Sequence, residues 1–221
     1  MEKYLPILTH TQMFAGVNEQ EISAMLHCLN ASLRTYKKGE YIFHQGDQTD
    51  SIMLLVEGKL HIQRDDFWGN SNIINVVEVG EMFGEAYAAP DSGVLLNNVI
   101  AAKDSAIMLF DAKRVITTCS SACRFHSMVV QNLFFALSEK NRKLVQKLGH
   151  MANRSTRQKL ISYLSDESAR QNSSTFTVPF TRQQMADYLS VDRSAMSSEL
   201  GRMRDEGLIK FEKNNFTLLQ D

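Results

Sequence analysis

Thr181-Arg182-Gln183-Gln184-Met185-Ala186-Asp187-Tyr188-Leu189-Ser190-Val191-Asp192-Arg193-Ser194-Ala195-Met196-Ser197-Ser198-Glu199-Leu200-Gly201-Arg202-Met203-Arg204-Asp205-Glu206 reads as two short amphipathic helices around a polar turn. Thr181 is placed to cap a first helix that turns Met185, Ala186 and Leu189 inward. Ala186 is small where two helices must cross closely. Ser190-Val191-Asp192 makes the turn, with Val191 directed at the core and Asp192 capping the second helix. Met196, Leu200 and Met203 then recur at helical spacing, which leaves Arg193, Ser194, Ser197, Ser198 and Arg202 facing out. Short polar side chains and arginines on an exposed helix suit entry into a DNA major groove. An ordinary helical hairpin with a solvated charged face is the alternative. Two apolar runs around Asn214-Asn215 predict a hairpin just downstream, which makes the unit a winged helix-turn-helix.

Upstream, Ser155–Ala169 has a helical pattern and Thr175–Val178 reads as a short strand before Pro179. Residues 112–151 are helical, with Gly149 as the one glycine and no proline. Phe125, Met128, Val129, Asn132, Leu133, Ala136, Leu144 and Leu148 approximate an apolar stripe along that helix. Such a stripe predicts pairing with a second copy through Met128, Asn132, Leu133 and Ala136. The other reading lays the helix on its own core.

Residues 31–111 change to short runs of strand type: 33–36, 40–44, 52–56, 59–64, 73–79, 99–102 and 106–110. Gly39, Gly46, Gly58 and Gly80 punctuate them, so the segment predicts an antiparallel barrel or sandwich. Residues 1–30 read as short helices, with Asn18 and Glu21 spaced as a capping box. The resulting domains are 1–111, 112–151 and 152–221.

The chain has 221 residues, 43% of them hydrophobic and 22% charged, which excludes a disordered chain. No apolar run approaches the length of a membrane span. The N-terminus lacks the layout of a signal peptide, and three cysteines cannot frame a disulfide-stapled fold, so a cytoplasmic location is expected. With a net charge of −1, any nucleic-acid site must be a local basic patch. The run Lys140, Arg142, Lys143, Lys147, Arg154, Arg157 and Lys159 is one such patch or a solvated helix face. No phosphate-binding loop, HExxH or GxSxG motif is present, and an enzyme is not expected.

Taken together, Lys38-Gly39-Glu40, Gln45-Gly46-Asp47, Leu54-Leu55-Val56-Glu57-Gly58-Lys59-Leu60, Gly80-Glu81-Met82-Phe83-Gly84-Glu85 and the 181–209 segment resemble the Crp/Fnr family of bacterial transcription regulators. The resemblance implies an α+β chain: an antiparallel jelly-roll barrel like a cyclic-nucleotide-binding domain, a long dimerisation helix and a winged DNA-binding domain. It also implies a homodimer on a palindromic operator, switched by a small-molecule effector in the barrel, with RNA polymerase as a candidate partner. On the same resemblance Thr181 and Gln183 hold phosphates, with Arg182 assisting. Arg193, Ser194, Ser197 and Ser198 then lie along the major groove and Arg202 nearer the backbone. Many members carry a guanine-reading arginine where Ser198 stands, which leaves Arg193 with more of the specificity.

The effector departs from the cyclic-AMP pattern. Members that bind it place an arginine shortly after the Gly-Glu pair to hold the cyclic phosphate, whereas no Arg or Lys occurs from Glu85 through Ala102. Gly84, Glu85, Asn97 and Asn98 are the candidate lining of a largely uncharged pocket, and the effector is unknown. An iron–sulfur cluster would need more thiolates than Cys28 near the N-terminus supplies. Cys119, Cys123 and His126 would share one helical face, so a metal or thiol-redox sensor is an alternative, as is haem on one of His27, His44, His61 or His126. No metal or cofactor is assigned. A cyclic-nucleotide sensor with an output other than DNA is the remaining alternative.

Overall fold

A computed structural model describes residues 1–65, 68, 71–89, 93–117 and 124–219. The chain divides into two compact units, Met1–Leu137 and Ser138–Asp221.

The first unit opens with α1 (Leu5–Leu8) and α2 (Glu19–Cys28). Asn18 and Glu21 form the expected reciprocal capping box at the start of α2. Eight strands follow: β1 (Ser32–Tyr36), β2 (Tyr41–Phe43), β3 (Ser51–Glu57), β4 (Leu60–Asp65), β5 (Ser71–Val77), β6 (Met82–Phe83), β7 (Asn98–Ala101) and β8 (Ser105–Asp111). They form two antiparallel four-stranded sheets, in the orders β1-β8-β3-β6 and β2-β7-β4-β5. Seven of these strands are the seven expected runs. The two-residue β6 lies inside a stretch that reads as turn.

The strands β3 and β8 pair along their length and are buried on both faces. Met53, Leu55, Ile107 and Leu109 point to the barrel interior with Leu60, Val77, Phe83 and Val99. Ile52, Leu54, Val56, Ala106, Met108 and Phe110 point the other way, into a layer built by Leu8, Phe14, Ile22 and Leu29. Burial on both sides explains why these two strands are apolar runs and do not alternate.

After β8 come α3 (Ala112–Ile116) and the 28-residue α4 (Arg124–Met151). The stripe expected to meet a second copy is used within the chain. Val129, Leu133 and Ala136 are buried in the same layer as Phe14 and Phe110, and Met128 packs against it. Val129 and Leu133 each contribute about 1.5–3 kcal/mol by leaving water. The Asn132 Nδ2 donates to the carbonyls of Met13 at 3.2 Å and Ala15 at 2.9 Å. Within the chain, Leu133 and Ala136 are thus buried against the first unit's core, and the half-buried Met128 and Asn132 also face it. Leu144 and Leu148, placed in the same stripe from the sequence, lie farther along the helix and are exposed.

The second unit contains α5 (Thr156–Gln171), β9 (Thr175–Thr177), α6 (Arg182–Leu189), α7 (Arg193–Asp205), β10 (Ile209–Glu212) and β11 (Asn215–Leu218). The three strands pair in the order β10-β11-β9. Leu160, Leu164, Phe176, Met185, Leu189, Met196, Leu200 and Phe216 build a separate core.

Gly58 turns β3 into β4 at φ +95°, and a Cβ built there would lie 2.4 Å from the Asp104 carbonyl oxygen and 2.7 Å from the Ser105 Cα. Gly46 has a similar φ of +97° but open space around it. Both alanine variants carry left-handed strain of about 1 kcal/mol, and Gly58→Ala adds a backbone clash. Urea unfolding is expected to show Gly58→Ala losing at least about 2 kcal/mol more than Gly46→Ala. Equal losses would mean that the β3–β4 turn yields freely.

Candidate functional site

The helix-turn-helix is built by local capping before any long-range contact. The Thr181 hydroxyl oxygen accepts from the Gln184 N–H at 3.3 Å, and Gln184 Oε1 accepts from the Thr181 N–H at 2.9 Å. This closes the start of α6 as a capping box. Ser190 ends α6 in the left-handed region, and the Val191 N–H reaches back to the Ala186 carbonyl at 3.0 Å. Lys159 Nζ, from α5, donates to the Leu189 carbonyl at 3.1 Å. Asp192 then caps α7 by accepting from the Ala195 N–H at 2.8 Å. The Ser194 hydroxyl, and after it that amide, hold the Asp192 carboxyl below the usual carboxylate range.

The buried side of this pair is Met185, Ala186 and Leu189 against Met196, Leu200 and Met203, as the spacing predicts. The opposite side of α7 exposes Arg193, Ser197, Ser198 and Arg202. Among the described residues, the side chains of Arg193, Ser197 and Ser198 hydrogen-bond to nothing else in the chain. Ser194 donates to Asp192 and so belongs to the cap. Arg202 lies 3.3 Å from Glu199, which also meets Arg157 at 3.3 Å. Gln183 is exposed and donates to Asp187 at 2.8 Å.

Arg182 is placed otherwise than expected. It is half-buried, donates through Nη2 to the Lys213 carbonyl at 2.8 Å, and lies over the rings of Phe211 at 5.1 Å and Phe216 at 4.8 Å. These contacts tie it to the wing. Several cations of the run at 137–159 are also engaged inside the molecule. Arg142 is bidentate on Glu139, Arg157 bridges to Glu199 and Glu206, and Lys147 lies 5.4 Å from the Tyr188 ring.

In the first unit, the candidate effector residues fall into different roles. Gly84 takes φ +76°, and a Cβ there would lie 2.1 Å from the Met53 Cε, so a backbone requirement accounts for it. Glu85 and Asn97 are half-buried. Asn98 is buried with both ends of its amide used: Oδ1 accepts from the Gln45 N–H at 2.7 Å, and Nδ2 donates to Asp65 at 2.7 Å. Asn98 is therefore a strut between β7, β4 and the turn after β2, a role its residue type did not reveal.

The structure also forms a cleft of about 750 Å³ whose lining includes Arg34, Phe43, Asp50, Tyr87, Asp111 and Lys113. Sequence reasoning missed it, because Arg34 on β1, Asp50 before β3 and the β8–α3 junction at Asp111 and Lys113 are far apart along the chain. Cys119 and Cys123 lie outside the described residues. His126 is buried, with Nε2 donating to the Val115 carbonyl at 3.0 Å, so its ring is held in the core. Among the described residues, no group of three or more His, Cys, Asp or Glu side chains is placed to hold a metal ion. Nor is any described helix long and apolar enough to cross a membrane.

Residues 33–121 match the family model of the cyclic nucleotide-binding domain, and residues 158–220 match that of the Crp-like helix-turn-helix domain. Among curated proteins, the chain is 24% identical over 111 residues to cGMP-dependent protein kinase 2 of Homo sapiens. That match takes in 50% of this chain but spans only 14% of the kinase. It is 24% identical over 200 residues to the probable transcriptional regulator flp of Lacticaseibacillus casei, covering 90% of this chain and 87% of that protein. The solved structure of the Thermus thermophilus catabolite activator protein shares the fold with a TM-score of 0.54 at 21% identity, over 95% of this chain and 94% of that one. With a cyclic-nucleotide-binding-type barrel followed by a capped, winged helix-turn-helix, this chain belongs to the Crp/Fnr family of DNA-binding transcription regulators.

Proposed function

We propose that this regulator acts as a cytoplasmic homodimer on a palindromic operator, with one α7 in the major groove of each half-site, and that its effector is a small molecule other than cyclic AMP. The observation that carries the reading is the exposed face of α7, where Arg193, Ser197 and Ser198 make no hydrogen bond within the described chain while Met196, Leu200 and Met203 are buried. Base edges need free donors, and a bidentate arginine–guanine contact discriminates by about 1–3 kcal/mol. Thr181 and Gln183, at the start of α6, are the proposed phosphate contacts, with Ser194 and Arg202 at the margins of the same surface. Catalysis has no part in this reading, and RNA polymerase is a further proposed partner.

The dimer reading now rests on different residues. Phe134, Leu137, Leu144, Leu148 and Met151 are all exposed, at 66%, 39%, 60%, 63% and 37%. With Asn141 they recur at alternating intervals of three and four residues along α4, the heptad spacing of a coiled-coil seam. A polar Asn141 within such a seam favours one register over others. Leu144→Glu or Leu148→Glu is expected to give a monomer by analytical ultracentrifugation, with operator binding weakened about a hundredfold or more because only one half-site is then engaged at a time. Met128→Glu should instead lower thermal stability, because Met128 packs against the core of the first unit. A Leu148→Glu protein that stays dimeric would exclude this seam.

Against cyclic AMP stand two observations. The barrel interior is filled by Met53, Leu55, Leu60, Phe83 and Ile107, and the 85–102 segment supplies no cation for a cyclic phosphate. Isothermal titration with cyclic AMP is expected to show no binding at micromolar ligand, and a saturable micromolar signal would refute this part of the reading.

Operator selection from a random duplex pool, run in parallel for wild type and Arg193→Ala, tests the DNA-facing surface. The variant is expected to lose about tenfold or more in affinity per half-site and to relax one base position. Recovery of the same palindrome with unchanged base preferences would remove Arg193 from the reading surface.

A further inference from the structure

The turn between β10 and β11 has two residues, Lys213 and Asn214, since Glu212 and Asn215 close the ladder. Lys213 sits at φ +51°, in the left-handed region. Tight hairpins place Gly, Asn or Asp at such a position, because a larger side chain crowds its own backbone there. A lysine is the costly choice for the backbone alone. Its side chain is exposed and has no partner among the described residues.

What holds this strained turn is Arg182. Its Nη2 donates to the Lys213 carbonyl at 2.8 Å, and its guanidinium lies between 4.8 and 5.1 Å from the ring centres of Phe216 and Phe211 on the two wing strands. Its Nη1 is buried with no acceptor in the described chain, so that end of the fork does not face solvent in the free protein. Burial also pushes its pKa down. Arg182 is the first residue of α6, directly after Thr181. The contact therefore fixes the wing turn beside the helix start at which a DNA phosphate is expected.

We propose that Arg182 is a positioning residue, not a DNA contact, and that it locks the wing turn so that Lys213 meets a phosphate of the operator backbone. The inference rests on the DNA-facing reading of α7 and adds a contact outside it. A guanidinium fills this role because it can stack on two rings and bond a carbonyl at once, which an ammonium cannot do.

The test uses the full chain and a fluorescent duplex carrying the palindrome that wild type selects from a random pool. Affinity is measured over a salt series for wild type, Arg182→Lys, Lys213→Gly and the double variant. Lys213→Gly is expected to bind DNA more weakly, with a salt slope shallower by about 0.9 for each phosphate it no longer neutralises. Its melting temperature should not fall, because glycine suits the turn. Arg182→Lys should weaken binding as much despite keeping its charge, and the double variant should be no weaker than the weaker single one.

Amide exchange supplies the structural control. In Arg182→Lys, the amides of residues 213–215 should exchange faster while those of residues 196–203 do not. Arg182→Lys binding like wild type would show that the guanidinium's wing contacts are not needed for DNA binding and overturn the proposal. So would losses that multiply in the double variant, an unchanged slope in Lys213→Gly, or uniform acceleration of exchange across the domain. A wild type that selects no duplex at all would overturn the DNA-facing reading as well, whereas multiplying losses on a duplex that wild type binds tightly overturn this inference alone.

Discussion

A single helix has one circumference to divide, and the way α4 divides it constrains both units of this protein. Over its first half, Val129, Leu133 and Ala136 join the layer that covers the outer faces of β3 and β8. Those two strands are apolar on both sides and would expose Ile52, Leu54, Met108 and Phe110 without that cover. The same helix carries Phe134 beside that stripe, and Leu144 and Leu148 farther along, which its own chain leaves in water. Apolar area of that size on one narrow stripe is unusual for a helix at rest in solvent and typical of one that pairs. The two stripes run into each other along the sequence, which is how they come to look like one.

The winged unit is organised differently, with nearly every polar group given a local task. Thr181, Asp192 and Ser194 close helix starts, Lys159 closes a helix end, and Glu199 gathers Arg157 and Arg202. Arg193, Ser197 and Ser198 on α7 and Lys213 on the wing are among the exposed side chains left without such a task. Held by caps and a packed core, they are presented by a rigid support, which lowers the ordering cost of engaging a groove. Arg182 shows the reverse case. It is an arginine in the right place by sequence that the fold ties to the wing, through Nη2 on the Lys213 carbonyl and the rings of Phe211 and Phe216.

The barrel separates structure from signal in a similar way. Gly84 and Asn98 fall where a ligand would be sought, yet a close approach to Met53 and a doubly bonded amide account for them. The cleft bordered by Arg34, Asp50, Asp111 and Lys113 is a different kind of surface, charged on both sides and assembled from three separate elements.

The sequence by itself determined what depends on neighbours within a few residues. The caps at Asn18, Thr181 and Asp192, the turns at Gly39, Gly46, Gly58 and Gly80, seven of the eight barrel strands and the inward face of the helix-turn-helix were all legible from residue type and spacing. Each is set by local backbone geometry or by a short periodicity. Only the tertiary structure decided which apolar residues of α4 meet its own core, that Asn98 is a strut, and that Arg182 belongs to the wing. These depend on contacts between residues some 30 to 120 positions apart, as with Arg182 to Lys213 and Asn132 to Met13. Periodicity marks a side chain as facing inward but carries no information about which partner it will find there.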